Sequence, residues 1–267
     1  MSYTIRPLKQ AELTAPLGVL AMMGDMRSFV VAPVFVFYLE NTGSKKKILV
    51  DAGVAAPSEE GGTVHGFPIK GGGEEGLRSA LEEVKTTPEE IDTLILTHLH
   101  FDHSACISSF KNARIYLQMR EWETAFNPVP SSRAAYDRDL FEGLEKMDLV
   151  LVNGDYQLED GLKLLFLPGH TQGLQGVALS TGKGTAVLTG DLCYCYFNLN
   201  PDMAEMVDLA GNKVELNPRP DLPFMANGIH VDLTEWFDSM WKVVRIASSR
   251  DMIYPGHDPS LVGRVLP

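Results

Sequence analysis

The stretch that decides the fold is Thr97-His98-Leu99-His100-Phe101-Asp102-His103, which directly follows an apolar run. It holds three imidazoles and a carboxylate, the ligands that zinc and similar divalent ions take in proteins. Because alternate side chains of an extended chain share a face, His98 and His100 can point the same way where the strand ends. Asp102 and His103 follow after the chain has begun to turn, so they can address a second ion. Three of the seven histidines of the chain lie here, which argues against a polar loop with chance histidines.

Three later segments share one pattern, in which an apolar strand runs into a glycine and then a side chain that can bind metal. They end at His170, Asp191 and His257, two of them as Pro-Gly-His and one as Gly-Asp. Glycine permits the close backbone approach that strand ends need beside a crowded ion. We therefore count these three side chains as further candidate ligands.

The candidate ligands predict a site for two ions. They are His98, His100, Asp102, His103, His170, Asp191 and His257. Seven groups are too many for one tetrahedral zinc, and they suit two ions that share a bridging carboxylate and keep positions open for water and substrate. Zinc is the expected metal, although iron, manganese or cobalt accept the same ligands. The remaining histidines, His65 and His230, are interpreted as loop residues.

Composition predicts a globular protein with one domain over residues 1–267. The chain has 45% hydrophobic residues and a mean hydropathy of −0.03, enough for one sizeable core. No run approaches the roughly 20 apolar residues of a membrane span. Residues 1–8 lack the order of a secretory signal, and three cysteines form no disulfide framework. These features predict a cytoplasmic protein without membrane association.

Charge and size bear on the partners. The net charge of −12 and the pI near 5.0 argue against a nucleic-acid partner. The compact basic run at 45–47 is interpreted as a solvated hairpin tip between strands 30–40 and 47–51. A homodimer is the default expectation for a soluble enzyme of this size.

The order of predicted elements favours an α/β fold. Strands are predicted at 30–40, 47–51, 92–97, 114–118, 149–152, 162–167, 176–180, 185–189 and 252–254, and helices at 74–84, 104–110, 119–126, 133–146 and 233–248. Two mixed sheets packed face to face with helices outside would satisfy this order. Residues 54–73 and 196–230 are predicted to be loops that cover a pocket.

The ligand motifs resemble those of the metallo-β-lactamase superfamily of binuclear hydrolases, in the order that the family has them. The resemblance implies a four-layer αββα sandwich with the metals at one edge of its two sheets. It also implies that His98, His100 and His170 hold the first ion and that Asp102, His103 and His257 hold the second. Asp191 would bridge the two ions.

Within the superfamily, Phe101 and Tyr194 most resemble the N-acyl-homoserine lactone lactonases, which are quorum-quenching enzymes. In those enzymes a tyrosine three residues after the bridging aspartate contacts the substrate carbonyl or the leaving oxygen. A bridging hydroxide would attack the lactone carbonyl, with Tyr194 stabilising the oxyanion and Asp102 shuttling a proton. The alternative is that Tyr194 is a packing aromatic, but the functional role is favoured. Residues 20–23, Phe101 and 196–197 would suit a hydrophobic acyl tail.

Other functions stay open from the sequence. A thioesterase of the glyoxalase II type shares all seven ligands, but such enzymes usually carry a basic C-terminal region, and residues 258–267 contribute only Arg264. Another carboxylic ester hydrolase is equally compatible with the site. A phosphodiesterase is disfavoured by the net charge, and a β-lactamase by the carboxylate of Asp191. A non-catalytic metal-binding protein would need closed ion positions.

Overall fold

A computed structural model describes residues 2–41, 43–44 and 46–267. The predicted hairpin between the strands at 30–40 and 47–51, with its basic run at 45–47, includes Thr42 and Lys45, which lie outside the described residues. The strands are β1 Tyr3–Pro16, β2 Phe29–Asn41, β3 Lys47–Val50, β4 Thr63–Val64, β5 Phe67–Gly71, β6 Thr93–Ile95, β7 Arg114–Gln118, β8 Leu149–Val152, β9 Tyr156–Glu159, β10 Leu162–Phe166, β11 Gln175–Thr181, β12 Gly184–Leu188, β13 Glu205–Val207, β14 Lys213–Glu215 and β15 Ile253–Tyr254. The α-helices are α1 Leu17–Leu20, α2 Gly73–Glu82, α3 Phe101–Ser104, α4 Met119–Phe126, α5 Arg138–Phe141, α6 Tyr196–Leu199 and α7 Leu233–Ile246.

The long antiparallel pair β1 and β2 forms the spine of the sheet. Its register runs from Tyr3 opposite Asn41 to Pro16 opposite Phe29. Within the described residues, the strand order is β15-β12-β11-β1-β2-β3-β6-β7-β8, with β10 beside β11. One hydrogen-bonded ladder thus joins both halves of the sandwich, because Tyr3 also pairs with Thr181 of β11.

Side chains that alternate along the strands separate the layers. In β6, Leu94 packs among residues of α2 and α4, whereas Ile95 packs against strands of the opposite half. In β12, Val187 contacts α7, whereas Leu188 faces the space between the two halves. This alternation gives the order helix, sheet, sheet, helix, because successive residues of a strand point to opposite faces. The predicted four-layer αββα sandwich is therefore confirmed.

Helix α7 fixes the loop that carries one of the candidate ligands. The side chain of Asp232 caps the helix by accepting a hydrogen bond from the Glu235 amide at 2.9 Å. Trp236 is fully buried, and its indole donates to the Leu192 carbonyl at 2.8 Å. A Cβ atom at Gly169 would lie 2.4 Å from the Trp236 Cα, at a φ of +138°. Only glycine therefore allows the helix to pack this closely against the Pro-Gly-His loop.

Several regions differ from the sequence-based prediction. Strands β1 and β9 were not predicted, and the segments predicted as loops at 54–73 and 196–230 contain β4, β5, α6, β13 and β14. The predicted helix at 133–146 is wrong, because the chain there forms short turns and α5, interrupted at Gly143 with a φ of +95°. The predicted helix at 104–110 is shifted toward the site, since α3 begins at Phe101 and a 3₁₀ turn follows at Ile107–Ser109. None of the helices in the described part of the chain combines the length and hydrophobicity that crossing a bilayer demands.

Candidate metal centre

The seven predicted ligands meet at one edge of the sandwich and are all buried. Most of them follow strand ends: His98 and His100 follow β6, His170 follows β10, Asp191 follows β12 and His257 follows β15. Asp102 and His103 lie in α3. They form two groups. The first comprises His98, His100 and His170, and the second comprises Asp102, His103, Asp191 and His257. Within each group, the ligand atoms lie within 4.8 Å of one another.

The first group is a cluster of three neutral imidazoles. The Nε2 atom of His170 lies 3.3 Å from Nε2 of His98 and 3.0 Å from Nδ1 of His100. Burial lowers the pKa of all three rings, and the neighbouring imidazoles lower those of His98 and His100 further. Converging nitrogens of neutral rings present lone pairs to a common point, which is the donor arrangement that a divalent cation takes.

The second group combines imidazoles with carboxylates. Nε2 of His103 lies 3.3 Å from Nε2 of His257, and Oδ2 of Asp102 lies 3.8 Å from each of them. Burial by itself lowers the pKa of both rings, but the carboxylates of Asp191 and Asp102 outweigh burial and raise it. Buried carboxylates need positive charge beside them, which imidazolium protons or a divalent cation can supply.

Asp191 lies between the two groups and divides its oxygens between them. Its Oδ2 atom lies 3.7 Å from Nε2 of His98 and 3.5 Å from Nε2 of His170. Its Oδ1 atom lies 3.2 Å from Nε2 of His103 and 3.0 Å from Nε2 of His257. Burial raises the pKa of this carboxyl, but the facing imidazoles outweigh burial and hold the pKa well below its usual range. The residue can thus offer one oxygen to each of two ions.

The outer ring nitrogens of four histidines are held by acceptors. His98 Nδ1 contacts Thr97 Oγ1 at 3.0 Å, His103 Nδ1 contacts Asp51 Oδ2 at 2.8 Å, His170 Nδ1 contacts the Ile229 carbonyl at 2.9 Å and His257 Nδ1 contacts the Pro33 carbonyl at 2.8 Å. An acceptor at Nδ1 fixes the proton there and directs the Nε2 lone pair into the site. The residues present therefore fit a pair of divalent ions.

Sequence reasoning missed Asp51 as part of the site. This buried aspartate has a φ of +66°, and its Oδ1 accepts the Thr97 amide at 2.7 Å while its Oδ2 faces His103. It therefore links the end of strand β3 to Thr97 and His103, the two ends of the stretch 97–103. An aspartate before Ala-Gly at a strand end also marks an ordinary turn, so the sequence did not distinguish the two roles.

Sequence reasoning also missed Glu121, which lies in α4 with 0% exposure. Its carboxylate accepts four hydrogen bonds, from the Leu99 and Gly173 amides and the Tyr136 and Thr171 hydroxyls. Burial raises the pKa of this carboxyl, while the four donors oppose the rise. No motif marks such a residue, and the one available signal is a glutamate on the buried face of a helix.

A cavity of about 210 Å³ opens over the two ligand groups. Its polar floor includes His100, Asp102, Asp191 and His257. Its other walls are mainly apolar and are formed by Leu13, Ala15, Val19, Leu20, Ala32, Phe67, Phe101, Ala134, Ala135, Tyr194 and Ile229. Leu20 and Phe101 therefore line the cavity as predicted. Ala21, Met22, Met23, Tyr196 and Phe197 do not line it, and Met22 and Met23 are exposed at the surface.

Tyr194 lies over the floor of the cavity. Its ring centroid is 5.6 Å from that of His170 and 5.5 Å from that of His257. Burial, together with the charges of Asp191 and Asp102, raises the pKa of the phenol well above its usual range. The hydroxyl is therefore protonated at neutral pH and can donate a hydrogen bond.

His65 and His230 lie outside both ligand groups. His65, at the tip of the β4–β5 hairpin, contacts the Ala134 carbonyl through Nδ1 at 2.9 Å and Asp137 Oδ2 through Nε2 at 3.3 Å. Its ring stacks on Phe101 with centroids 4.7 Å apart, and it lines the cavity. His230 Nδ1 contacts the Asn227 carbonyl at 2.8 Å. The hairpin thus reaches across the cavity to the segment at 131–137.

Comparison with known proteins identifies relatives of the chain. An N-acyl homoserine lactonase of Bacillus thuringiensis is 31% identical over 180 residues, which are 64% of this chain and 68% of that protein. A second N-acyl homoserine lactonase, from Bacillus cereus, is 31% identical over 131 residues, so the match spans 49% of this chain and about half (50%) of that relative.

Solved structures share the fold. A B. thuringiensis AiiA variant with N-decanoyl-L-homoserine bound at the active site superposes with a TM-score of 0.74 at 23% identity, covering 97% of this chain and 95% of that one. AidC, described as a dizinc quorum-quenching lactonase, gives a TM-score of 0.67 at 16% identity, covering 98% and 89%. The family model described as "Metallo-beta-lactamase superfamily" matches residues 30–257. The chain therefore belongs to the metallo-beta-lactamase superfamily, and N-acyl homoserine lactonases are among its relatives.

Proposed function

We propose that this protein is a binuclear metal-dependent hydrolase that opens the lactone ring of N-acyl-homoserine lactones and thereby quenches quorum sensing. The observation that carries the proposal is the position of Asp191, whose two oxygens face separate ligand groups at 3.0–3.7 Å on the floor of an apolar cavity. The names of the related lactonases support the same substrate class.

The candidate ligands divide between two ion positions. His98, His100 and His170 would hold one ion, Asp102, His103 and His257 would hold the other, and Asp191 would serve both. Zinc is the proposed metal, although iron, manganese or cobalt also suit nitrogen and oxygen ligands. When bound, such a pair polarises a carbonyl oxygen and lowers the pKa of a water toward neutrality.

The protein's own side chains supply orientation and proton transfer. Tyr194 lines the cavity beside His170 and His257, and its protonated hydroxyl can donate to the carbonyl oxygen as negative charge develops there. Asp102 also lines the cavity, and its carboxylate can shuttle a proton. The apolar walls would bind the acyl chain and exclude water from it.

The two covering segments are proposed as lids of a single domain that spans residues 1–267. His65 and Phe67 of the first segment and Ile229 of the second line the cavity. A cytoplasmic location, a homodimer and the lack of a nucleic-acid partner stay predictions from the sequence.

The function is tested by comparing three substrate classes on the zinc-loaded protein. We expect N-hexanoyl-homoserine lactone to be opened with a higher kcat/KM than a glutathione thioester, and an aryl phosphodiester to react least. A preference for the thioester would assign the glyoxalase II type of activity instead. Cleavage of none of the three would contradict a hydrolase and favour a metal-binding role.

Replacing Tyr194 by phenylalanine is expected to lower kcat by about 10- to 100-fold, the usual value of a hydrogen bond to developing charge. KM should change little, because the ring remains. Steady-state kinetics with the lactone measures both. Tyr196→Phe, which removes a hydroxyl outside the cavity lining, is the matched control. A Tyr194→Phe enzyme with unchanged kcat would make this tyrosine a packing residue.

Replacing His65 by alanine is expected to raise KM for long acyl chains by roughly fivefold, as expected when about 1 kcal/mol of hydrogen bonding and stacking is lost. The ring stack on Phe101 and both contacts to the 131–137 segment disappear together. The value of kcat should stay close to that of the wild type, since the ligand groups are untouched. Measurement with lactones of several acyl lengths shows the effect, and His230→Ala is the control. Equal KM values in all three proteins would rule out a lid role for His65.

A further inference from the structure

We infer that Glu121 is the positioning residue of the first ligand group, and that it sets the affinity of His98, His100 and His170 for their ion. The inference deepens the proposed function and rests on it, because it concerns the same site. The hydrogen bonds of Glu121 go to Leu99, Tyr136, Thr171 and Gly173 and not to the ligand side chains, so it acts through the segments that carry them.

The carboxylate of Glu121 is divided between two pairs of donors. Its Oε1 accepts the Leu99 amide and the Tyr136 hydroxyl, both at 3.0 Å. Its Oε2 accepts the Thr171 hydroxyl at 2.6 Å and the Gly173 amide at 3.2 Å. The Leu99 and Gly173 amides can only donate, so each oxygen of this side chain must accept at least one hydrogen bond, which the two oxygens of a carboxylate do.

Each donor belongs to a segment that positions one of the three histidines. Leu99 lies between His98 and His100, so its amide fixes the peptide that joins them. Thr171 follows His170 directly. The ring of Tyr136 packs edge-on against His100, with centroids 4.7 Å apart. One side chain thus holds together loops that are 15 to 52 residues from it in sequence.

The loop that carries His170 lies so close to Glu121 that only glycine fits at position 173. A Cβ atom at Gly173 would lie 2.1 Å from the Glu121 amide nitrogen and 2.4 Å from its Cα. The loop backbone therefore rests directly on helix α4 at Glu121. Because of this close packing, a displacement of Glu121 would also displace His170.

The contacts of Glu121 are confined to one half of the centre. Its four hydrogen bonds reach no residue of the group formed by Asp102, His103 and His257, whereas Asp51 contacts His103 at 2.8 Å. Loss of Glu121 should therefore weaken the first ion position selectively. A merely structural residue would weaken both positions or neither.

Glu121→Gln removes the match between donors and acceptors without changing the volume of the side chain. Its NH₂ group must face either the Leu99 amide or the Gly173 amide, and neither amide can accept a hydrogen bond. Groups that orient metal ligands in this way typically contribute about 10- to 100-fold to metal affinity. We expect a loss of that size at the first position.

The experiment measures cobalt(II) affinity by chelator competition, with the visible absorption of the bound ion as the signal. Glu121→Gln is combined with His257→Ala, which removes a ligand of the second group. Separately, it is combined with His98→Ala, which removes a ligand of the first group. We expect about a 10- to 100-fold weaker affinity in the His257→Ala background and less than about a threefold change in the His98→Ala background. Gln10→Ala, which removes a buried side chain bonded to Val54 and Gly73, is the control for general destabilisation.

Equal losses in both backgrounds, or no loss in either, would overturn the inference. Thr171→Val repeats the test more gently, because it removes one donor and keeps the side-chain volume. It should weaken metal affinity at the first position by about threefold to tenfold. If Glu121→Gln does not fold, this variant tests the inference in its place. The readout is metal affinity, so a selective loss without lactone hydrolysis would reject the proposed function and leave this inference standing.

Discussion

Replacing Asp191 by alanine is expected to eliminate lactone hydrolysis and to reduce the metal content below two ions per chain. The carboxylate faces both ligand groups, with oxygens 3.0–3.7 Å from four imidazole nitrogens. Residues that only orient metal ligands contribute about 10- to 100-fold to affinity or activity. A residue placed to contact both ions directly should therefore cost more than about 100-fold in kcat/KM.

The Asp191 prediction is checked by kinetics together with metal analysis of the purified variant. Asp208→Ala is the matched control, because Asp208 is also a buried aspartate that accepts backbone hydrogen bonds, from Val31 and Asn212. The control should keep two ions and nearly full turnover. An Asp191→Ala protein that retains both ions and wild-type kcat/KM would remove the bridging role.

Removing divalent ions with a chelator is expected to eliminate activity and to lower the thermal midpoint by about 10 °C. An ion present at 1,000 times its Kd stabilises the folded state by about 4 kcal/mol. For a chain of this size, about 1 kcal/mol shifts the midpoint by roughly 2–4 °C. The buried carboxylates of Asp102 and Asp191 add to the effect, because they lose the positive charge that compensates them.

The chelation prediction is measured by calorimetry and by activity before and after reloading. Zinc should restore both the midpoint and turnover, and reloading with iron, manganese or cobalt would rank the metals. Asp191→Ala should show a smaller shift on chelation than the wild type. Full turnover of a preparation without detectable metal would refute metal-dependent hydrolysis.

The candidate ligands could be picked out because their signals are local in sequence. His98, His100, Asp102 and His103 lie within one strand end and the first turn after it. His170 and His257 each follow a glycine, so the same short pattern marked them. The fold followed from the alternation of strands and helices, since few layer arrangements bury two sheets and several helices.

The elements that were predicted wrongly or missed show where local sequence patterns are not sufficient. The segment at 133–146 has helix-forming residues, but Gly143 takes a φ of +95° and the segment breaks into turns that line the cavity. The 14-residue strand β1 was not predicted, because its polar residues alternate irregularly around a bulge at Lys9 and Ala11. Pairing with β2 along its whole length decided its structure.

By itself the sequence determined the fold family, the seven candidate ligands and the expectation of two ions, because these depend on residue type and short spacing. Only the tertiary structure decided which atom of each ligand faces the centre, since the partners that orient the rings come from distant segments. The Pro33 carbonyl that holds His257 lies 224 residues away from it. Asp51 and Glu121 belong to the centre for the same reason: their roles arise from hydrogen bonds between segments that meet only when the sheets have packed.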